Sequence, residues 1–204
     1  MKTLLALLAL AFAASLSAQT LKLSADSKGV TVDGGVNGRV VIGAPTVTGS
    51  DKKNRKAVFA PAADGLSATA TYADGFVIKI ALASADGTIT YAFDRVPADA
   101  ISIVVTTALP LSYNNGGTFA TNGGEAKTFP GEPGKQLFAQ GAFTQVNLYT
   151  GTGEGLAFSV PASYQQFQDP RAWGMQQFQW IYHYDLLRYP NATGFTLKVA
   201  TVKK

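Results

Sequence analysis

The sequence predicts an all-β fold, a jelly-roll-like antiparallel β-sandwich in one domain, and three observations carry that prediction. Short runs of alternating apolar and polar residues follow one another from Thr20 to the C-terminus. Gly, Asn, Asp and Pro separate these runs roughly every eight to twelve residues, the spacing of sheet sandwiches, and windows of helical period are nearly absent. The nine prolines, Pro61, Pro110 and Pro161 among them, are expected between the runs, where they remove no ladder hydrogen bond.

Taken in chain order, residues 1–18 read as a secretory signal peptide. Lys2 supplies the positive end, residues 4–14 the apolar run, and Ser15, Ser17 and Ala18 the small residues before Gln19. A secreted or periplasmic location is therefore expected. The apolar run is too short to span a bilayer and no second one follows, so membrane insertion is not expected. The β-sandwich domain then covers residues 19–204, about 185 residues, enough to bury roughly 70% of the unfolded surface. With no Cys there is no disulfide framework and no thiolate chemistry, so the core must supply the stability.

Strand-like runs lie at 36–42, 66–72, 101–106, 145–149, 156–160 and 195–202, and with the weaker runs about ten strands are expected. The clearest hairpin sets Phe76, Ile78, Ile80 and Leu82 against Ile89, Tyr91 and Phe93 across Ser84-Ala85-Asp86-Gly87, because Asp-Gly between alternating runs is a strong turn signal. Residues 110–141 are irregular and rich in Gly, yet Tyr113, Phe119, Phe129, Phe138 and Phe143 punctuate them. A long connection of that composition predicts an ordered flap with small hairpins, folded beside the sheet.

The most informative run is 177–185. Its alternation places Phe178, Trp180, Tyr182 and Tyr184 on one face and Gln177, Gln179, Ile181, His183 and Asp185 on the other, His183 being the only histidine. Burying the aromatics avoids stranding polar groups in the core, so the amide, imidazole and carboxylate face is expected to be open. The preceding segment adds Tyr164, Gln165, Gln168, Arg171 and Trp173. Amides and carboxylates that bond hydroxyls, with an aromatic ring to stack on a pyranose, are what a sugar site requires, so the expected partner is a polysaccharide.

If that glycan carried uronates, β-elimination would need carboxylate neutralisation, a base and an acid. Arg171 or Gln179 suits the first role, His183 or a tyrosine the second, and Tyr164 or Tyr149 the third. The expected catalytic set is His183, Tyr164 and Arg171, with Gln177, Gln179, Asp185, Trp173 and Gln168 binding substrate. Gln179 and His183 resemble in character the Gln and His on the concave face of jelly-roll alginate lyases. That resemblance is confined to this strand, and the Gln-Ile-His triplet of that family is replaced here by Gln179-Trp180-Ile181-Tyr182-His183. Hydrolysis by a carboxylate pair would draw on Asp169, Asp185, Glu125, Glu132 and Glu154, whose spacing singles out no pair. A non-catalytic carbohydrate-binding or protein-interaction module of the cell envelope is the alternative.

Other classes find less support. The formal charge of +4 falls to about +3 once Lys2 leaves, without the basic stripe of a nucleic-acid binder; the densest run, Lys52, Lys53, Arg55 and Lys56, sits among turn residues. One His and no Cys make a transition-metal site unexpected, and no Gly-x-Ser-x-Gly elbow is present. No cofactor is expected; calcium held by Asp, Asn and backbone oxygens is compatible with such a fold, without any loop of EF-hand spacing. A monomer is expected.

Overall fold

The computed structural model describes residues 21–204 apart from Asn115 and Lys135; the leader expected over residues 1–18 lies outside the described residues. The strands are β1 (Lys22–Asp26), β2 (Gly29–Asp33), β3 (Arg39–Ile42), β4 (Thr46–Gly49), β5 (Asn54–Lys56), β6 (Val58–Pro61), β7 (Ser67–Thr71) and β8 (Val77–Ala83). They continue as β9 (Thr88–Ala92), β10 (Ala100–Pro110), β11 (Thr118–Thr121), β12 (Lys127–Thr128), β13 (Leu137–Tyr149), β14 (Glu154–Gln168), β15 (Gln177–Asp185) and β16 (Gly194–Lys203). The protein is all-β and antiparallel as its alternation predicts, with more strands than expected because short edge pairings such as β5 and β12 carry little sequence signal.

The sixteen strands form one hydrogen-bonded sheet whose main path runs β1-β2-β3-β10-β15-β14-β16-β9-β8-β7-β6. Two long strands make it continuous. β10 pairs along its length with β15 while its other edge serves β4 and then β3; β14 pairs with β13 on one edge, and with β16 and then β15 on the other. The sheet curls nearly into a barrel, and β1 approaches the far end of the path. Ala25 N–H donates to Gly65 O (2.7 Å) and Leu23 N–H to Ser84 Oγ (2.9 Å) across that closure.

The interior is filled from alternate positions of every wall. The expected hairpin is present as β8 and β9, with Ile78, Ile80, Ile89 and Tyr91 buried. Its turn needs glycine: Gly87 has φ +65°, and a Cβ there would lie 1.8 Å from Val199 O, the carbonyl of a neighbouring strand. On β15 the four aromatics face the core, Trp180 at 1% exposure, each contributing roughly 1.5–3 kcal/mol by burial. Tyr184 and Tyr91 both stack on Phe195, with ring centroids 4.4 and 4.6 Å away.

β14 contains the decisive irregularity. Leu156, Phe158 and Val160 face inward, but after Pro161 and Ala162 the inward residues are Ser163, Gln165 and Phe167. Residues 160–162 lie opposite the lone Thr144 of β13, a bulge that reverses which side chains face the core. The backbone groups it frees are satisfied from the side. Tyr182 Oη donates to Pro161 O (3.1 Å), Tyr189 Oη to Ala162 O (3.0 Å), and Thr144 N–H to Asn122 Oδ1 (2.8 Å). Ser163 Oγ donates to His183 O and accepts from Asp185 N–H, replacing ladder bonds to β15. Proline was expected only between strands. Pro161 instead occupies the bulge, Pro61 an edge strand and Pro110 the end of β10, all places where no ladder N–H is needed.

Among the described residues, the segment from Pro110 folds beside the sheet as expected of a flap, with a 3-10 turn at Leu111–Asn114 and a small β11–β12 hairpin. Its aromatics cover one end of the core: Phe119 stacks on Phe167 (4.8 Å between centroids) and Phe129 lies 5.0 Å from Phe178. Phe138 and Phe143, expected in the flap, belong to β13.

Gln165, wholly buried, donates from Nε2 to Phe143 O (2.6 Å) and accepts from Trp180 Nε1–H (2.9 Å). Gln165→Leu should therefore destabilise the protein by about 2–4 kcal/mol in urea unfolding, since it strands a buried donor and a buried acceptor. A loss below about 0.5 kcal/mol would show that the bulge does not depend on this bridge.

Candidate functional site

The outer face of β13, β14 and β15 gathers most of the polar residues singled out from the sequence. Because the bulge turns Gln165 inward, Tyr164, Gln166 and Gln168 point out. Gln168 Nε2 donates to Gln166 Oε1 (2.7 Å), Gln166 Nε2 donates to Tyr164 Oη (2.9 Å), and Tyr164 Oη donates to Gln140 Oε1 (2.7 Å). This chain runs in one direction, so each amide keeps an unused N–H and Gln168 keeps an unused carbonyl oxygen. Gln179 extends the row, lying in register between Gln168 of β14 and Ala108 of β10. The 3-10 turn Pro170–Trp173 rims it: Trp173 is 61% exposed, and Met175 Sδ lies 3.9 Å from Gln179 Nε2.

His183 is half-buried on the same face, between Val104 of β10 and Tyr164 of β14. The Tyr164 ring lies 5.5 Å from the imidazole, centroid to centroid, at 48°. Nε2 is buried without a hydrogen-bond partner, and burial pushes the imidazole below its ordinary value of 6.5, toward the neutral form. The Tyr164 hydroxyl turns away from it to Gln140 and Gln166. The pair is therefore joined by ring packing, and the Tyr164 hydroxyl bonds the two glutamines rather than the imidazole. Tyr149, the other expected acid, is buried opposite Gly155, near the far end of β13 from the site.

Arg171 departs from its expected role as a carboxylate binder. Its Nε and Nη2 grip both oxygens of Asp169 (2.7 Å each), while Nη1 donates to Gly131 O and Nη2 to Pro130 O (2.9 Å each). The guanidinium also lies 4.7 Å from the Phe178 ring centre. Its donors are committed to the flap, because Asp169 caps the following turn and is too buried to stay unpaired. The same hydrogen bonds hold the Asp169 carboxyl below the ordinary carboxylate range, against the opposing effect of burial.

Asp185 shares the face of His183, but its Oδ1 accepts from Leu187 N–H (2.9 Å) and Arg188 N–H (3.2 Å), closing the turn after β15. Glu154 pairs with Lys203 (2.9 Å). Three of the five carboxylates a hydrolase would draw on, Asp169, Asp185 and Glu154, are thus engaged separately, and among the described residues no three His, Cys, Asp or Glu side chains gather as a metal set. Gln177 lies at the near end of β15, opposite Pro110, beside a groove of ≈ 370 Å³. The basic run is also partly spent: Arg55 pairs with Asp74 (2.7 Å) and Asp99 (2.8 Å).

Gln140 and Gln166 join this outer row without having been singled out from sequence, while Gln165, grouped with it there, faces the core. Phe167 was the available signal: as a core residue it sends 166 and 168 outward, provided the alternation restarts after Pro161.

No protein-family model matches the chain, and no curated protein matches it. Among solved structures it is similar to a GH31 family sulfoquinovosidase from E. rectale in complex with the aza-sugar inhibitor IFGSQ. The identity is 7% and the TM-score 0.46, over 88% of this chain. The chain spans 32% of that enzyme's length, and a likeness this distant carries no argument about function.

Two outcomes test the site's chemistry. Arg171→Ala leaves Asp169 buried and unpaired, so unfolding should be easier by about 3–5 kcal/mol; a loss under about 1 kcal/mol would place the Arg171 contacts at the surface in energetic terms. For His183 the folded state resists protonation while the unfolded chain takes a proton near pH 6.5. Its contribution to stability is therefore complete above that pH and is lost on acidification below it. Between pH 7.5 and 5.5 the urea midpoint should fall more steeply for the wild type than for His183→Gln; equal slopes would contradict the burial of the imidazole.

Proposed function

We propose that this protein, in a secreted or periplasmic setting, binds a polysaccharide along the outer face of β13, β14 and β15 without cleaving it. One observation carries the reading: the directed chain Gln168–Gln166–Tyr164–Gln140, extended by Gln179 and flanked by exposed Trp173. Sugar hydroxyls both donate and accept, and a row of amides locked to each other presents both functions with little side-chain entropy left to lose. An exposed indole beside such a row supplies a stacking surface for the C–H face of a pyranose.

Binding is favoured over cleavage by the state of the charged groups. Elimination calls for a cation at the carboxylate and a base in reach of the C5 proton. The cation expected beside the base, Arg171, is locked into the flap, and the His183 imidazole is packed against Tyr164 with its Nε2 buried, away from any arginine left free. Hydrolysis calls for two opposed carboxylates, and at the proposed face Asp169 and Asp185, like Glu154 farther along β14, each serve a separate structural contact, leaving only Glu125 and Glu132 of the expected supply.

The test is retention of residues 19–204 in gels containing neutral and acidic glycans, with reducing ends and unsaturated uronate absorbance followed in parallel. The wild type should be retarded by at least one glycan and release no product. The double substitution Gln166→Ala, Gln168→Ala should weaken that retardation roughly tenfold, as expected for losing a few hydrogen bonds, and His183→Ala should leave it intact. Product that disappears in His183→Ala would restore the lyase reading, and no retardation by any glycan would remove the carbohydrate reading altogether.

A further inference from the structure

We infer that the groove beside Gln177 is a subsite for a carboxylated pyranose, so that the glycan held by the amide row is an acidic, uronate-containing one; this rests on the binding face proposed above. The groove arises from strand geometry. β3 and β10 are paired only at Thr107–Ile42 and Ala108–Val41, and β10 ends at Pro110, which has no N–H to offer. The strands part there, leaving an open trough of ≈ 370 Å³ on the outer face, within the roughly 300–1,000 Å³ usual for small-molecule sites.

Its lining has three parts. Val41, Ala108 and Pro110 make an apolar floor, suited to the C–H face of a sugar ring. Gln176 and Gln177 form one wall and offer amides to hydroxyls. Arg39 forms the other wall. It is exposed and makes no ion pair among the described residues. Its register partner Asp33 uses Oδ1 to cap Gly35 N–H (2.9 Å). The planar guanidinium fork matches a carboxylate in two parallel hydrogen bonds, which favours a uronate over a neutral hexose. By contrast Arg171, Arg55 and Arg188 already hold carboxylates or carbonyls.

The groove is continuous with the amide row. Gln168, Gln179, Ala108 and Val41 stand in register on four successive strands, spanning three strand spacings, ~14 Å. An oligosaccharide crossing the strands passes from the glutamines onto the apolar floor, where its carboxylate meets Arg39.

The test compares polygalacturonate with its methyl-esterified form and with dextran sulfate, by affinity electrophoresis at fixed ionic strength. The wild type should hold polygalacturonate about tenfold more tightly than the ester, as expected for a charge-assisted pair. Arg39→Gln should bind both alike with an unchanged urea midpoint, and Arg39→Lys should recover only part of the preference. Equal binding of acid and ester by the wild type, a preference that survives in Arg39→Gln, or dextran sulfate held as tightly as polygalacturonate would overturn the subsite. Neutral glycans retained while polygalacturonate is not would overturn it alone and leave the amide face standing. Retention by no glycan would remove both.

Discussion

The bulge at Pro161–Ala162 is the constraint on which the rest of the molecule depends. A strand's side chains alternate with period two, so an uninterrupted β14 would carry Tyr164, Gln166 and Gln168 into the core and expose Phe167. The extra residues opposite Thr144 reverse that assignment for the second half of the strand. One local event thus seats Phe167 among the aromatics of the flap, turns Gln165 under Trp180, and brings the amide chain to the surface. The cost of freeing backbone groups at the bulge is offset by Tyr182, Tyr189 and Asn122, which reach in from other strands and turns, and by Ser163 of β14 itself.

The same irregularity explains the sheet's continuity. β14 pairs with β16 before the bulge and with β15 after it, so the strand passes from one wall of the curled sheet to the other while β13 follows along its outer edge. Next to this corner, Arg171 fastens the flap. Its fork on Asp169 and its bonds to the carbonyls of Pro130 and Gly131 hold the connection between β12 and β13 against the end of the core, and Phe178 stacks beneath it. The flap's aromatics share a core with β14 and β15, so the amide face lies over packed rings.

Much of this was legible in the sequence and part was not, for identifiable reasons. The strand Gln177–Asp185 is correct to the residue because four large aromatics at period two have no other economical arrangement, while its polar face, expected to be open, is half-buried between β10 and β14. The β8–β9 hairpin followed from Asp-Gly in the same way. The bulge was hidden because Pro161 reads as a strand end, and the bonds that let the strand run through it come from residues twenty or more positions away. That concealment exchanged Gln165 for Gln166 in the expected site. Arg171 was misassigned because a guanidinium next to a polar strand face looks available until the carboxylate and carbonyls that fill its fork are placed. Arg39 carried no signal at all, since its significance lies in where β3 and β10 part.

On this reading the bulge-exposed amide chain is a glycan-binding surface. A nitrogen-15 NMR titration of the uniformly labelled protein with polygalacturonate oligomers tests it most directly, because side-chain amides and indole N–H groups are read individually. Shifts are expected at the side-chain amides of Gln140, Gln166, Gln168 and Gln179 and at the Trp173 indole, joined by Gln176 and Gln177 where the oligomer reaches the groove, with the Trp180 indole and the Gln165 amide unmoved. Shifts centred elsewhere on the sheet, or oligomer binding that leaves those four amides unchanged, would contradict it.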